Sequence, residues 1–336
     1  MKYIPKSEIH IHIEAVITLA SVRKLYRNRF GSGMSETDQQ SLFSYSDLNG
    51  FVKAFLQVQD LFQSVSDFDL VFSDFARYLE SNNIVYCEAF FAPSAFLKKG
   101  FRYDEMVNNF SSNIAKIKKE KNITIKLLVD VSRTFGFENS ERNYQLVREF
   151  PCNDVIGIGL GGAEQKGPAR LFGPVFEEAR KDGFHTVAHA GEDVGPESVW
   201  DALKILHSER IGHGITSVKD PELVRYLKEN RIPLEICPTS NVFTQAVVRT
   251  IEKHPVRELF DDGVFVTINT DDPVFFKTTL TEEYWKLHSC LNFTMDEIKT
   301  LVCNGFNAAF LDAEQKKAYV ASVENQWSRY LPGKGN

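Results

Sequence analysis

The residues with the most chemistry in this chain stand where short apolar runs give way to loops. His10 and His12 occupy alternate positions in the first such run, so on a strand both imidazoles point to one side. His189 and Glu192 close the stretch Val187-Ala-His-Ala-Gly-Glu-Asp193. His213 lies between two glycines in Arg210-Ile-Gly-His-Gly214, and Asp271 and Asp272 are adjacent in Asn269-Thr-Asp-Asp-Pro273. Neutral imidazoles can hold a transition metal, and a carboxyl group one turn of loop away can handle protons for whatever that metal activates. Two neighbouring carboxylates are costly unless a cation or a donor engages at least one of them. A single His beside a strand end is more often a packed core residue. Repetition of the arrangement at several run ends points to one shared metal-assisted site.

Eight apolar runs recur along the chain: Ile9–Ile13, Ile84–Phe91, Ile123–Val131, Val155–Leu160, His185–His189, Ile211–Gly214, Leu234–Cys237 and Val264–Asn269. Most are nearly continuous and rich in Val and Ile, as strands buried on both faces of a parallel sheet are. Helical spacing fills the stretches between them, for example Leu171, Val175, Phe176 and Ala179 before the fifth run. Eight alternations predict an α/β fold of the (β/α)8, or TIM, barrel type, with a doubly wound open sheet as the alternative. On a barrel, the polar run ends gather on the C-terminal rim, where such folds carry their chemistry.

One connection is too long for a simple βα unit. Residues from Ala15 to Asn83 contain three amphipathic segments (Leu19–Tyr26, Phe51–Phe62, Phe68–Leu79) and a soft loop over 31–37. Such an insertion after strand 1 is expected to act as a lid or substrate wall, or as an extra stabilising layer. Further helices are expected over Glu283–Leu291, Asp296–Phe310 and Glu314–Arg329, and residues 1–336 are expected to form one domain.

Composition narrows the function classes. The chain has 336 residues, 43% hydrophobic and 25% charged, which is ordinary for a globular protein with a sizeable core. A formal net charge of -6 argues against nucleic acid as a partner, and the 27 Phe residues suit an aromatic core. Five scattered cysteines without a CxxC pair fit a reducing compartment, and no apolar run is long enough for a membrane span. A soluble cytoplasmic protein with a small-molecule substrate is expected; the oligomeric state cannot be read. His185, His207, His254 and His288 are taken as surface or capping residues. Gly157-Ile-Gly-Leu-Gly-Gly162 matches the dinucleotide pattern GxGxxG, but the chain continues as Ala-Glu-Gln-Lys-Gly-Pro168 instead of opening a helix. Close approach of bare backbone to a flat ligand is the preferred reading.

Taken together, Ile9-His-Ile-His12, Thr186-Val-Ala-His-Ala-Gly-Glu192, Gly212-His-Gly214, Cys237-Pro-Thr-Ser-Asn241 and Asn269-Thr-Asp-Asp-Pro273 resemble the motif set of the adenosine deaminase family, in order, over nearly the whole chain. The resemblance implies a barrel holding one zinc ion through His10, His12, His189 and Asp271. It also implies Glu192 as proton donor to purine N1, with His213 positioning and polarising the attacking hydroxide. Asp271 is implied as catalytic as well as metal-binding. Substrate contacts are implied for His12, for Glu14 at a sugar hydroxyl, for the Gly162 backbone at N3 and for Asp272 at N7. Asp272 can accept from a ring nitrogen only if that nitrogen is protonated; otherwise Asp272 carries the proton, and the sequence leaves both open.

Departures from the family pattern bear on the substrate. Ala15 stands where the family usually has Gly, Gly159 where many members carry an acidic residue, and the insertion matches poorly. Relatives acting on free adenine usually carry Asp in place of Gly212, which disfavours that branch. Hydrolytic deamination of adenosine or 2′-deoxyadenosine is therefore the leading expectation, with 6-amino-6-deoxyfutalosine as the alternative. A binuclear amidohydrolase would need a bridging Lys at the end of the fourth strand, where this chain has glycines. An inactive binding relative would be expected to have lost a ligand or the acid, and none is missing.

Overall fold

A computed structural model describes residues 1–43, 45, 48–244 and 247–330. Eight parallel strands follow one another in sequence order: β1 (Lys6–His12), β2 (Ile84–Phe91), β3 (Thr124–Asp130), β4 (Val155–Leu160), β5 (His185–Ala190), β6 (Arg210–His213), β7 (Leu234–Ile236) and β8 (Val266–Ile268). Each predicted run is a strand. The largest shift is at β1, which begins three residues earlier than its apolar pattern because Lys6, Ser7 and Glu8 are buried polar residues. An open sheet is excluded, since β1 also meets the segment after β8. His12 N–H donates to Asp271 O at 3.0 Å and Asp271 N–H to His10 O at 3.1 Å. Closure thus runs through His10, His12 and Asp271, three of the residues singled out from the sequence.

The strand interior is packed rather than hollow. Phe90, Leu128 and Val187 form a small buried cluster of their own, apart from the large core between strands and helices. Glycine in β4 makes this possible: a Cβ on Gly159 would lie 2.6 Å from the Phe90 ring. The glycine run therefore lies mostly inside a strand and gives room to aromatic packing. Its last members, Gly161 and Gly162, lie beyond the strand end, where an added Cβ would meet Asp130 Oδ2 and Thr134 Oγ1.

Four helices lie between β1 and β2: α1 (Leu19–Phe30), α2 (Glu36–Phe43), α3 (Leu48–Asp60) and α4 (Phe68–Ser81). The Thr18 side chain accepts from Ser21 N–H to start α1, and Gly31 ends it in the left-handed region at φ 69°. Helix α2 was not expected; it takes up the end of the segment read as a soft loop. Ser35 Oγ accepts the Asp38 N–H at 3.1 Å, a helix start that the polar composition concealed. Helix α4 buries Phe68, Val71, Phe72, Phe75 and Leu79, and Phe68 packs edge-on against Phe91, Phe96 and Phe110. The insertion also reaches the C-terminal side of the barrel. Tyr45 and Phe51 pack on Phe275, and Tyr45 Oη donates to Phe275 O at 2.7 Å. The three late helices form at Leu280–Leu291, Met295–Ala308 and Ala313–Tyr330. All five cysteines are free, and no helix among the described residues is long and apolar enough to cross a membrane.

Candidate active site

Five side chains from four strand ends converge at the C-terminal mouth. His10 and His12 project from β1 to the same side, as their spacing requires. His12 Nε2 lies 3.3 Å from His189 Nε2 and 3.2 Å from Asp271 Oδ1, and His10 Nε2 is 3.6 Å from that same oxygen. Donor atoms of His10, His189, His213 and Asp271 all fall within 4.8 Å of one another. His10 Nδ1 is engaged by Glu235 Oε2 at 2.7 Å, which turns its Nε2 toward the cluster. Ser240 Oγ donates to Asp271 Oδ2 at 2.7 Å and leaves Oδ1 facing the imidazoles. His213 and Asp271 adopt φ of 61° and 66°, a strained conformation for residues with side chains and one that clusters at functional sites.

The test of a metal here is the hydrogen bonding. His10 Nε2 and His213 Nε2 are buried without any hydrogen-bond partner. Buried polar atoms normally find partners, so the deficit marks a place for a ligand. Imidazole nitrogens with one carboxylate oxygen make a donor set that suits zinc. Burial and the neighbouring His10 and His213 hold His189 well below its usual range, so it is a neutral imidazole with a free lone pair. Burial works against the Asp271 charge, but the imidazoles of His10 and His12, 3.6 Å and 3.2 Å from its Oδ1, hold it well below the usual carboxylate range. The residues present fit a zinc ion.

Proton-handling groups border this cluster. Burial, with the charges of Asp271 and Glu164, pushes the Glu192 carboxyl well above its usual range. Its Oε2 is 3.5 Å from His213 Nε2, and burial pulls His213 down to about 4. Asp272 is likewise pushed up, by burial and by the neighbouring Asp271. Glu14 is buried and raised to about 7; its Oε1 accepts the Ala92 N–H at 2.8 Å while Oε2 has no partner. Ala15, expected as an intruding methyl, is buried in the turn after β1. Gly162 lies just past β4 at φ 95°.

Four supporting residues escaped the sequence reading. Glu164 accepts from the backbone N–H groups of Gly191 (2.6 Å), Glu192 (3.1 Å), Asp193 (3.0 Å) and Val194 (3.4 Å), and from Ser198 Oγ. It thereby fixes the loop that carries Glu192. Glu235 orients His10, and a charged residue in the middle of the apolar run Leu234–Cys237 was the available signal. Asp130 ends β3 and accepts from Ser132 N–H at 2.7 Å and Gly161 N–H at 2.9 Å, again a lone carboxylate closing an apolar run. Asn241, within a recognised motif but given no task, has Nδ2 3.1 Å from His213 Nδ1.

Known proteins resemble this chain along nearly its whole length. The aminodeoxyfutalosine deaminase of Streptomyces avermitilis is 34% identical over 98% of this chain and 92% of its own. The crystal structure of an adenine deaminase from Arthrobacter aurescens superposes with a TM-score of 0.91 at 25% identity, covering 97% of this chain and 99% of that one. An amidohydrolase from Burkholderia ambifaria, crystallised with bound zinc, has the same fold (TM-score 0.91, 22% identity, 97% and 91% coverage). The family described as adenosine deaminase matches residues 5–326, the span over which the strand-end residues are distributed. With barrel, rim cluster and family match all in agreement, the chain belongs to the adenosine deaminase family and is a deaminase, a hydrolase of C–N bonds.

Proposed function

We propose that this enzyme removes the 6-amino group of a substituted 6-aminopurine, that it uses one zinc ion, and that 6-amino-6-deoxyfutalosine is its substrate. The observation carrying the choice of substrate is the 34% identity, over 98% of the chain, to an aminodeoxyfutalosine deaminase. That relationship reverses the order expected from motifs alone, in which adenosine and 2′-deoxyadenosine came first. Gly212 supports a substrate other than free adenine: a Cβ there would lie 2.7 Å from His10 Cε1 and 3.2 Å from His189 Cα. An Asp at that position would require the His10 imidazole and the β5 backbone at His189 to move.

In this reading His10, His12, His189 and Asp271 hold the zinc. Bound zinc acts as a Lewis acid and makes water nucleophilic near neutral pH. The remaining work belongs to the chain. Glu192, kept protonated by its surroundings, gives a proton to the ring nitrogen N1 beside the amine-bearing carbon, which leaves that carbon open to attack. His213 positions the attacking oxygen. Of the two options for Asp272, the upward push beside Asp271 favours the neutral form, which donates to N7. The free Oε2 of Glu14 receives a sugar hydroxyl, the Gly162 backbone faces N3, and the insertion between β1 and β2 forms the wall on the substituent side. Residues 1–336 act as one domain.

The test is a near-UV assay of zinc-loaded protein against 6-amino-6-deoxyfutalosine, adenosine, 2′-deoxyadenosine and adenine. The expected result is the highest kcat/KM for 6-amino-6-deoxyfutalosine. A preference for adenosine or 2′-deoxyadenosine restores the motif-based order. A preference for adenine overturns the use made of Gly212 and favours the branch represented by the Arthrobacter enzyme.

A further inference from the structure

His254 and Asn241 are joined to His213 by hydrogen bonds in series. The Val256 N–H donates to His254 Nδ1 at 3.1 Å. His254 Nε2 is 3.2 Å from Asn241 Oδ1, and Asn241 Nδ2 is 3.1 Å from His213 Nδ1. His254, Asn241 and His213 are exposed by 3%, 0% and 1%, so water does not compete for these bonds.

The direction of the series follows from its first member. A backbone N–H can only donate, so His254 Nδ1 must accept and the proton of that neutral ring sits on Nε2. That Nε2–H needs an acceptor, which requires Asn241 to present its Oδ1. Asn241 then donates through Nδ2, so His213 Nδ1 accepts and the single proton of His213 sits on Nε2. A second proton on either ring would set two donors face to face. One peptide N–H after Pro255 therefore determines the tautomer of a histidine at the barrel mouth.

We propose that His254 and Asn241 are positioning residues that lock His213 as its neutral Nε2–H tautomer, so that His213 serves the reaction as a hydrogen-bond donor and not as a base. The Nε2–H points to the side where Glu192 lies, so it can donate to the attacking oxygen and cannot take a proton from it. This deepens the deaminase reading and rests on it for the kinetic consequence. The tautomer itself is a property of the resting protein.

Long-range 1H–15N NMR of the zinc-loaded protein with labelled histidine reads the tautomer directly, with the His213 signal identified by its loss in His213→Asn. The expected wild-type result is a protonated Nε2 and a bare, hydrogen-bonded Nδ1. Asn241→Asp replaces the donor by an acceptor and should place a proton on Nδ1 of His213. Turnover of 6-amino-6-deoxyfutalosine by that variant should fall in kcat by about 10²–10³-fold, the size of losing one aligned donor, with KM and zinc content little changed. His254→Gln can still donate to Asn241 whereas His254→Leu cannot, so Gln should recover much of the kcat that Leu loses. A wild-type His213 protonated on Nδ1 overturns the proposal. So does wild-type kcat in Asn241→Asp, or equal damage by Gln and Leu at position 254. If the wild-type enzyme leaves 6-amino-6-deoxyfutalosine untouched, the substrate assignment fails while the NMR result still decides the tautomer.

Discussion

Two buried polar clusters occupy opposite ends of the same barrel, and they differ in how their charges are matched. At the N-terminal end Arg210 donates from Nε to Glu235 at 2.5 Å and from Nη1 to Ala308 O at 3.1 Å, and Nη1 is 2.6 Å from Glu88 Oε2. Phe310 covers its guanidinium at 3.7 Å and stacks on His185 at 3.8 Å. Opposite charges meet there, and the network serves the fold. At the mouth, His10 Nε2, His213 Nε2 and Glu14 Oε2 have no partner, and the Glu192 and Asp272 carboxyls are pushed well above their usual range. A buried group left unpaired costs about 1–3 kcal/mol. Arg210 Nη2 and Glu88 Oε2 also lack a hydrogen-bond partner, but they belong to a cluster of matched opposite charges. At the mouth the unpartnered imidazole nitrogens stand beside adjacent carboxyls, and that arrangement, more than incompleteness or burial, separates the working end from the structural end. Glu235 belongs to both, holding Arg210 through Oε1 and His10 through Oε2.

The largest effect expected from this contrast is metal removal. A chelator should abolish turnover, and added zinc should restore it, because the imidazole and carboxylate donors gathered at the mouth fit a zinc ion. Hydrogen bonds to Asp271, working against burial, raise the metal-free His12 to about 10, so zinc displaces protons as it binds. Zinc affinity should therefore weaken as pH falls, measurable by competition with a chelating dye at several pH values. Activity that survives complete demetallation would make the mouth just another structural cluster.

Next comes Glu192→Gln, which keeps size and polarity but cannot deliver a proton. A fall in kcat of about 10²–10⁴-fold is expected, with zinc content and Tm retained. Substantial retained turnover would remove Glu192 from the acid role and leave its raised carboxyl without a task.

Glu235→Gln addresses the residue the two ends share. Loss of the carboxylate loosens the His10 ring, and zinc affinity should fall about 10–100-fold. Arg210 keeps only Glu88 as a counter-ion, so Tm should fall as well. Unchanged zinc affinity with a lower Tm would show that the two ends are independent.

The same contrast explains what could be read from the sequence. His10, His12, His189, Glu192, His213, Asp271 and Asp272 were legible because polar residues interrupt apolar runs at their C-terminal ends, and eight such runs fix the barrel. Residues acting one contact away were not. Glu235, Asp130 and Arg210 also interrupt or flank apolar runs, but nothing in one sequence pairs Glu235 with His10 across 225 positions. Glu164 acts through backbone N–H groups, which carry no sequence signal. His254 looked like a capping residue and does accept the Val256 N–H, but its burial and its second bond depend on packing against Asn241. The glycine run looked like a ligand loop because the Phe90 ring that needs its space comes from another strand.

The smallest effect separates the ends by pH and leaves the chemistry alone. Lys6 begins β1 at the structural end, fully buried, with Nζ donating to Met1 O at 3.0 Å and Ile4 O at 2.8 Å. Burial pulls its pKa from 10.5 to about 7, against the opposing pull of Glu8. The folded-state value is depressed, so between about 7 and 10.5 the unfolded chain binds more protons than the folded one, and the Lys6 contribution to stability rises with pH across that window. Below about 7 both states are protonated and the contribution is flat at its lowest. Lys6→Met removes this dependence and also two hydrogen bonds, so it should be least harmful at neutral pH and progressively worse toward pH 9. The slope difference should approach about 1.4 kcal/mol per pH unit at most. Urea unfolding of both proteins at pH 7, 8 and 9 measures it, with kcat at pH 7 expected to be the same in both. Parallel stability curves would mean that the amino group keeps its charge inside the fold, and the structural end would then contain a permanent cation whose stabilisation must come from Glu8.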